Sequence, residues 1–290
     1  MKFALPEIRH NMAGFEALIR LDAEVGDRRF ARIEIDMGTT SWFDADMCAP
    51  FGAILYRIGH YGNAVELTNL QAGVEKILSK NGFLSHYGRM PARDTYGTTI
   101  PYQRFDVKDD RFFATYVESK FVRRSEIPRM TQGLVKRFRE SVFEIFSNAV
   151  IHSQTRLGIF SCGQFFPKRH RLDFSVADLG IGVRRNVKEH AGLDLPAHKA
   201  IVWATQEHNT TKRGPIPGGL GLKLLSEFIN LNGGRLQIVS DAGYWSLEKG
   251  HTETALLRLP FPGTVVNVEI NTSDTQSYAL SSELKESDIF

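Results

Sequence analysis

The sequence predicts an α/β protein built from two units, and three observations lead there. Residues 32–80 alternate strand-like and helix-like segments, residues 128–152 carry a long amphipathic helix pattern, and strand-like segments return after residue 171 with helices between them. A chain of 290 residues is long enough to bury two modest cores. The pattern divides it into residues 1–118, residues 119–271, and a Ser- and Glu-rich tail over 272–290 that is expected to be flexible.

In the first unit, residues 15–24 read as a polar helix. The alternation Arg32-Ile33-Glu34-Ile35-Asp36 predicts a strand with one buried face. A turn over residues 38–41 precedes a helix near 46–60, residues 63–67 form a short strand, and residues 70–80 form a helix closed by Asn81-Gly82. This β-α-β-α rhythm implies parallel strands. Residues 89–102, with two prolines and little apolar periodicity, are expected to be an irregular connection, and residues 112–117 one more strand.

In the second unit, Leu134, Phe138, Val142, Ile145, Phe146 and Ala149 recur at three- and four-residue steps, which predicts one helix. Residues 171–177 read as a strand, 196–206 as a helix, and a second long helix begins at Leu220 and stops at Asn232-Gly233-Gly234. Strands are expected at 235–240, 254–259 and 264–270, the last two as an antiparallel pair.

Charge and cysteine content narrow the partners. The 36 basic and 33 acidic residues leave a formal charge of +3, which gives no basis for nucleic-acid binding. Lys120, Arg123, Arg124, Arg129, Lys136, Arg137 and Arg139 read as the solvated face of a helix rather than a basic surface. Cys48 and Cys162 have no spacing for zinc or a disulfide framework and are expected to be buried small hydrophobes in a reducing compartment. No apolar run reaches the roughly 18–20 residues of a spanning helix, and the start is too short for a signal peptide. The expectation is a soluble, cytoplasmic protein without a membrane partner.

Three ordered segments carry chemistry. Glu144 and Asn148 stand four residues apart, so on a helix both face one side, one turn from each other. An amide oxygen plus nucleotide phosphates is a suitable set for Mg2+, and Asn148 is the candidate ligand. Glu144 is the candidate to accept a proton from, or orient, the nucleophile that attacks a terminal phosphate. Asp178 ends an apolar run and is followed by Gly180 and Gly182; a buried carboxylate there would accept from the adenine amino group. Gly218, Gly219, Leu220, Gly221 and Leu222 form a glycine-rich turn that opens a helix, where free N–H groups favour an anion, with Lys223 nearby. Each segment alone also fits a solvated helix face or an ordinary turn. Neither the Walker nor the Rossmann glycine spacing is present.

In this order the segments resemble the boxes of the GHKL superfamily of ATPases, which includes gyrase, heat-shock chaperone, histidine kinase and MutL members. The resemblance covers residues 125–271. It implies a Bergerat α/β sandwich in which helices cover a mixed sheet and ATP lies between them. Carried over, Glu144 matches the superfamily's acid, Asn148 its magnesium asparagine, Asp178 its adenine contact, and Gly180, Gly182, Gly219 and Gly221 its loop glycines. Residues 183–217 would be a lid, with Thr211, Lys212 and Arg213 contacting phosphate.

The helical hairpin of histidine kinases is missing before this unit, and His10 is read as an ordinary surface histidine. His152 is read as structural or nucleotide-adjacent. Too little chain follows the last strand for the second domain of gyrase- or MutL-like machines. Residues 28–82 resemble a STAS-type module, the α/β fold of anti-anti-sigma proteins, so the chain looks similar to bacterial anti-sigma-type regulators. The function expected is a regulatory ATP-binding protein that hydrolyses Mg-ATP slowly. The alternatives are a serine/threonine kinase acting on a STAS partner, or a non-hydrolysing ATP-gated interaction module. The resemblance also implies a signalling protein as partner, and makes a homodimer plausible.

Overall fold

The computed structural model describes residues 1–151, 153–206 and 220–283. The chain opens with β1 (Lys2–Ala4), α1 (Met12–Val25), β2 (Arg32–Asp36), α2 (Cys48–His60), β3 (Ala64–Thr68) and α3 (Ala72–Lys80). β2 lies between β1 and β3, and both pairings are parallel. Parallel neighbours need crossover connections, which α1 and α2 supply. Asn11 caps α1 by accepting the Gly14 N–H at 3.0 Å. The helix is less polar than its sequence suggests, because Phe15, Leu18, Ile19 and Leu21 are all buried.

The second layer consists of β4 (Thr99–Phe105), α4 (Asp110–Val117), β5 (Arg129–Met130), α5 (Gln132–Ile151), β6 (Ile159–Phe166), β7 (Arg171–Asp178), α6 (Gly182–Ala191), α7 (Ala197–Thr205), α8 (Leu220–Asn232), β8 (Arg235–Glu248), β9 (His251–Asn271) and β10 (Ser277–Tyr278). A five-stranded sheet has the order β4-β6-β7-β9-β8. All four of its pairings are antiparallel, so the sheet expected to be mixed is not. β4 and α4 precede residue 119 yet belong to this sheet and its helical layer.

Several local expectations change for physical reasons. Residues 110–117 are a helix, not a strand, because Phe113, Tyr116 and Val117 share one helical face and are its buried residues. The irregular stretch ends at β4, which takes residues 99–102 into the sheet edge. Residues 254–259 and 264–270 are one strand rather than a pair. The prolines at 260 and 262 are absorbed where the register between β8 and β9 shifts, near Asp241 and Phe261. Part of the expected flexible tail is docked: β10 pairs with β5, and Tyr278 packs edge-on against Phe228 at 5.3 Å.

The sheet is covered on both faces. Leu172, Phe174 and Val176 of β7 join the core beneath α4, α5 and α8, where Phe174 stacks on Phe121 at 4.5 Å. The alternate residues face the N-terminal unit: Phe160, Cys162, Ala177 and Val265 share a core with Leu18 and Ile54. Cys48 and Cys162 are buried as expected, but they also converge on one amide, Asn81 Nδ2, at 3.2 and 3.5 Å. At the other end of this face the seam is polar. His10 is 2% exposed, not a surface residue, because it is enclosed by Asp46, Asp173 and the sheet. Among the described residues no helix is long and apolar enough to cross a membrane.

Candidate functional site

α5 and β7 bring two of the three chemical segments together. Glu144 and Asn148, half-buried, share one face of α5 with Ser141, and this face forms a wall of a cleft. The opposite side of α5, with Phe138, Val142 and Phe146, is held in the core, which fixes the helix rotation. Asp178 stands at the end of β7 in the same cleft and is 4% exposed, so it lies deeper than the α5 pair. The cleft encloses about 150 Å³ between α5, α6, α7, the first turn of α8 and the sheet. Its walls are largely apolar, with Ile145, Val176, Ile201 and Ile238 among them. An apolar slot with few polar groups suits a flat heteroaromatic ligand.

Asp178 is held by the turn that follows it. Its Oδ1 accepts the Gly180 N–H at 2.8 Å, and the Ile181 N–H donates to the Ser153 carbonyl at 2.7 Å. Gly180 is needed for this approach: a Cβ there would lie 2.0 Å from the Ser153 carbonyl oxygen. Gly182 lines the cleft and opens α6 with φ +76°, a left-handed conformation that glycine adopts at little cost. Burial pushes the Asp178 carboxyl up to about 7, against hydrogen bonds from the Gly180 N–H, the Ser153 hydroxyl and the Thr264 N–H that pull it down. The group is therefore poised between acid and carboxylate near neutral pH.

α8 begins at Leu220, and its third residue, Leu222, lines the cleft. The first turn of a helix carries N–H groups without intrahelical partners, so an anion is favoured there. Gly221 lies within that turn. Lys223, on the same turn, pairs with Glu227 at 3.7 Å. Thr211, Lys212, Arg213, Gly218 and Gly219, like His152, lie outside the described residues. Of the expected lid, residues 183–191 and 197–205 are helical, and the second of these helices reaches the cleft through Ile201, Trp203 and Ala204.

Sequence reasoning missed five polar or aromatic lining residues: Ser141, Ser153, Asn186, Trp203 and Thr264. Thr264 stands opposite Asp178 in the β7–β9 register, and its hydroxyl lies 2.8 Å from the Ser240 hydroxyl. A cross-strand pair has no local spacing to reveal it. Asn186, 6% exposed, follows Gly182 by one helical turn and had such a signal once the start of α6 was known.

The oxygen donors of Asn148 and Glu144 suit a hard cation such as Mg2+, and no cysteine or histidine lines the described cleft. No protein-family model matches the chain, and no curated protein matches it.

Proposed function

We propose that this cleft binds Mg-ATP and that the protein cleaves the nucleotide slowly as a conformational switch in a regulatory system. The reading rests on one observation above the others: Glu144, Asn148 and Asp178, distant in sequence, line one cleft. The likeness of the three segments to GHKL motifs supports the same assignment. In this account the Asp178 carboxylate accepts from the adenine amino group and rejects a ring that carries a carbonyl there. Gly182 keeps backbone, not a side chain, against the base. The first turn of α8 faces the phosphates with its N–H groups.

Asn148 would hold Mg2+ by its amide oxygen, and the ion supplies charge neutralisation on the phosphates. Glu144, one turn away, orients a water molecule and takes its proton as it attacks the terminal phosphate. Closure of the lid that the resemblance implies over residues 183–217 would exclude bulk water, and the difference between open and closed forms is what a partner protein would read. The STAS-like N-terminal unit makes a signalling context the natural one.

Calorimetry with ATP and magnesium, together with a phosphate-release assay, tests the reading on wild type, Asp178→Asn and Glu144→Ala. Wild type should bind and release phosphate, Asp178→Asn should lose binding, and Glu144→Ala should bind without turnover. Binding without phosphate release in the wild type would redirect the reading to a protein hydroxyl acceptor or a pure binding switch. No ATP binding would remove it altogether.

A further inference from the structure

The face of the sheet opposite the cleft contains a buried cluster that ATP chemistry does not use. One nitrogen of His10 and one carboxylate oxygen each from Asp173 and Glu269 lie within 4.8 Å of one another. His10 belongs to the N-terminal unit, whereas Asp173 and Glu269 are cross-strand partners on β7 and β9. Asp46 stands 2.6 Å from His10 Nδ1. Of the two guanidiniums present, Arg171 lies 2.7 Å from Asp44, 3.1 Å from Oδ2 of Asp173 and 3.6 Å from Oε2 of Glu269, and Arg235 lies 2.9 Å from that same Oε2. Each candidate carboxylate therefore keeps a second oxygen to offer.

Beside the geometry, hydrogen bonding asks for a cation: among the described residues, neither Asp173 Oδ1 nor His10 Nε2 has a hydrogen-bond partner, although both side chains are buried. Asp46 Oδ1 and Asn267 Oδ1 are in the same position, and Asn267 Nδ2 lies 3.4 Å from Asp46. Buried polar atoms without partners are rare unless water or an ion completes them.

We propose that His10, Asp173 and Glu269 form a divalent-cation site that joins the N-terminal unit to the sheet. One imidazole nitrogen and two carboxylates suit a late first-row ion such as Zn2+ better than Mg2+ or Ca2+, which prefer oxygen alone. Asp46 is placed to orient the His10 ring, as outer carboxylates do for metal-bound histidines. Glu269, only partly buried, marks the side from which an ion would enter. The site is structural in kind, because the ligands come from segments far apart in sequence and close the seam between them.

The test uses the full chain without nucleotide, so it does not depend on the ATP reading. Protein stripped with chelator is incubated with ZnCl2, dialysed, and analysed for bound metal and for its melting temperature. The expected result is one zinc per chain with a raised melting temperature, binding weakened at least tenfold in Glu269→Gln and lost in Asp173→Asn, and retained in the control Asp22→Asn, whose carboxylate pairs with Arg57 elsewhere. Circular dichroism checks folding, and Glu269→Gln, being less buried, decides the matter if Asp173→Asn does not fold. Absence of stoichiometric zinc would show that the cluster holds no metal, and equal zinc in wild type and Glu269→Gln would place the metal elsewhere; either result overturns the proposal.

Discussion

Replacing Asp178 with asparagine should stabilise the nucleotide-free protein at alkaline pH while abolishing its site. In the unfolded chain this carboxyl ionises near 3.8, but in the folded protein burial raises it to about 7. Below pH 4 both states hold the proton and the group contributes its full stability. Between pH 4 and 7 the unfolded chain ionises first, and stability falls by about 1.4 kcal/mol per pH unit. Above pH 7 both states are ionised and the loss is complete, at about 4 kcal/mol. Asparagine cannot ionise, and its Oδ1 can still accept the Gly180 N–H. The advantage of the variant should therefore grow by about 2–3 kcal/mol between pH 5 and pH 8. Urea unfolding of both proteins at the two pH values measures it. An advantage that does not change with pH would refute the reasoning, because it would mean that Asp178 is not held as an acid by its surroundings.

The same carboxyl should make ATP affinity depend on pH, since an amino donor is accepted best by the ionised form. Calorimetry should show binding weakened about tenfold between pH 8 and pH 6, and a flat profile would show that Asp178 does not change protonation on binding. Gly180→Ala places a Cβ 2.0 Å from the Ser153 carbonyl oxygen, so the β7–α6 turn must shift. A loss of about 1–3 kcal/mol in denaturant unfolding is expected, together with weaker nucleotide binding, and wild-type stability would argue against that turn.

The local parts of this architecture were readable. The α5 stripe at three- and four-residue steps predicted both the helix and the joint placement of Glu144 and Asn148, because a helix fixes relative position within one turn. The parallel pairing of β2 and β3 followed from the helix between them. What could not be read lies in contacts between distant segments. Thr264 enters the cleft only through its register with Asp178, and β9 conceals its continuity behind two prolines that usually end a strand. His10 carries the composition of a surface residue and is buried because three other segments enclose it. Cys48 and Cys162 likewise share a position in space that their separation in sequence gave no reason to expect. Residues 112–117 show a narrower difficulty: a short run rich in aromatic residues fits either period, and only the packing of Phe113 on Phe146, with ring centroids 4.3 Å apart, selects the helix.

The sheet order gives synthesis a timetable. β7 emerges from the ribosome with β6 already beside it, and its other edge has no partner in any segment made so far. β8 follows, but its place is not on β7; it has to wait for β9, which inserts between them and pairs with both. At about 5–20 residues per second, the interval from the end of β7 to the end of β9 amounts to many seconds with an open strand edge. Thr264, next to Asp178, arrives with that same insertion. A nascent chain cannot complete its cleft before it completes its sheet, and a polypeptide cut short ahead of residue 264 would present an unpaired central edge, the kind of surface on which chains aggregate.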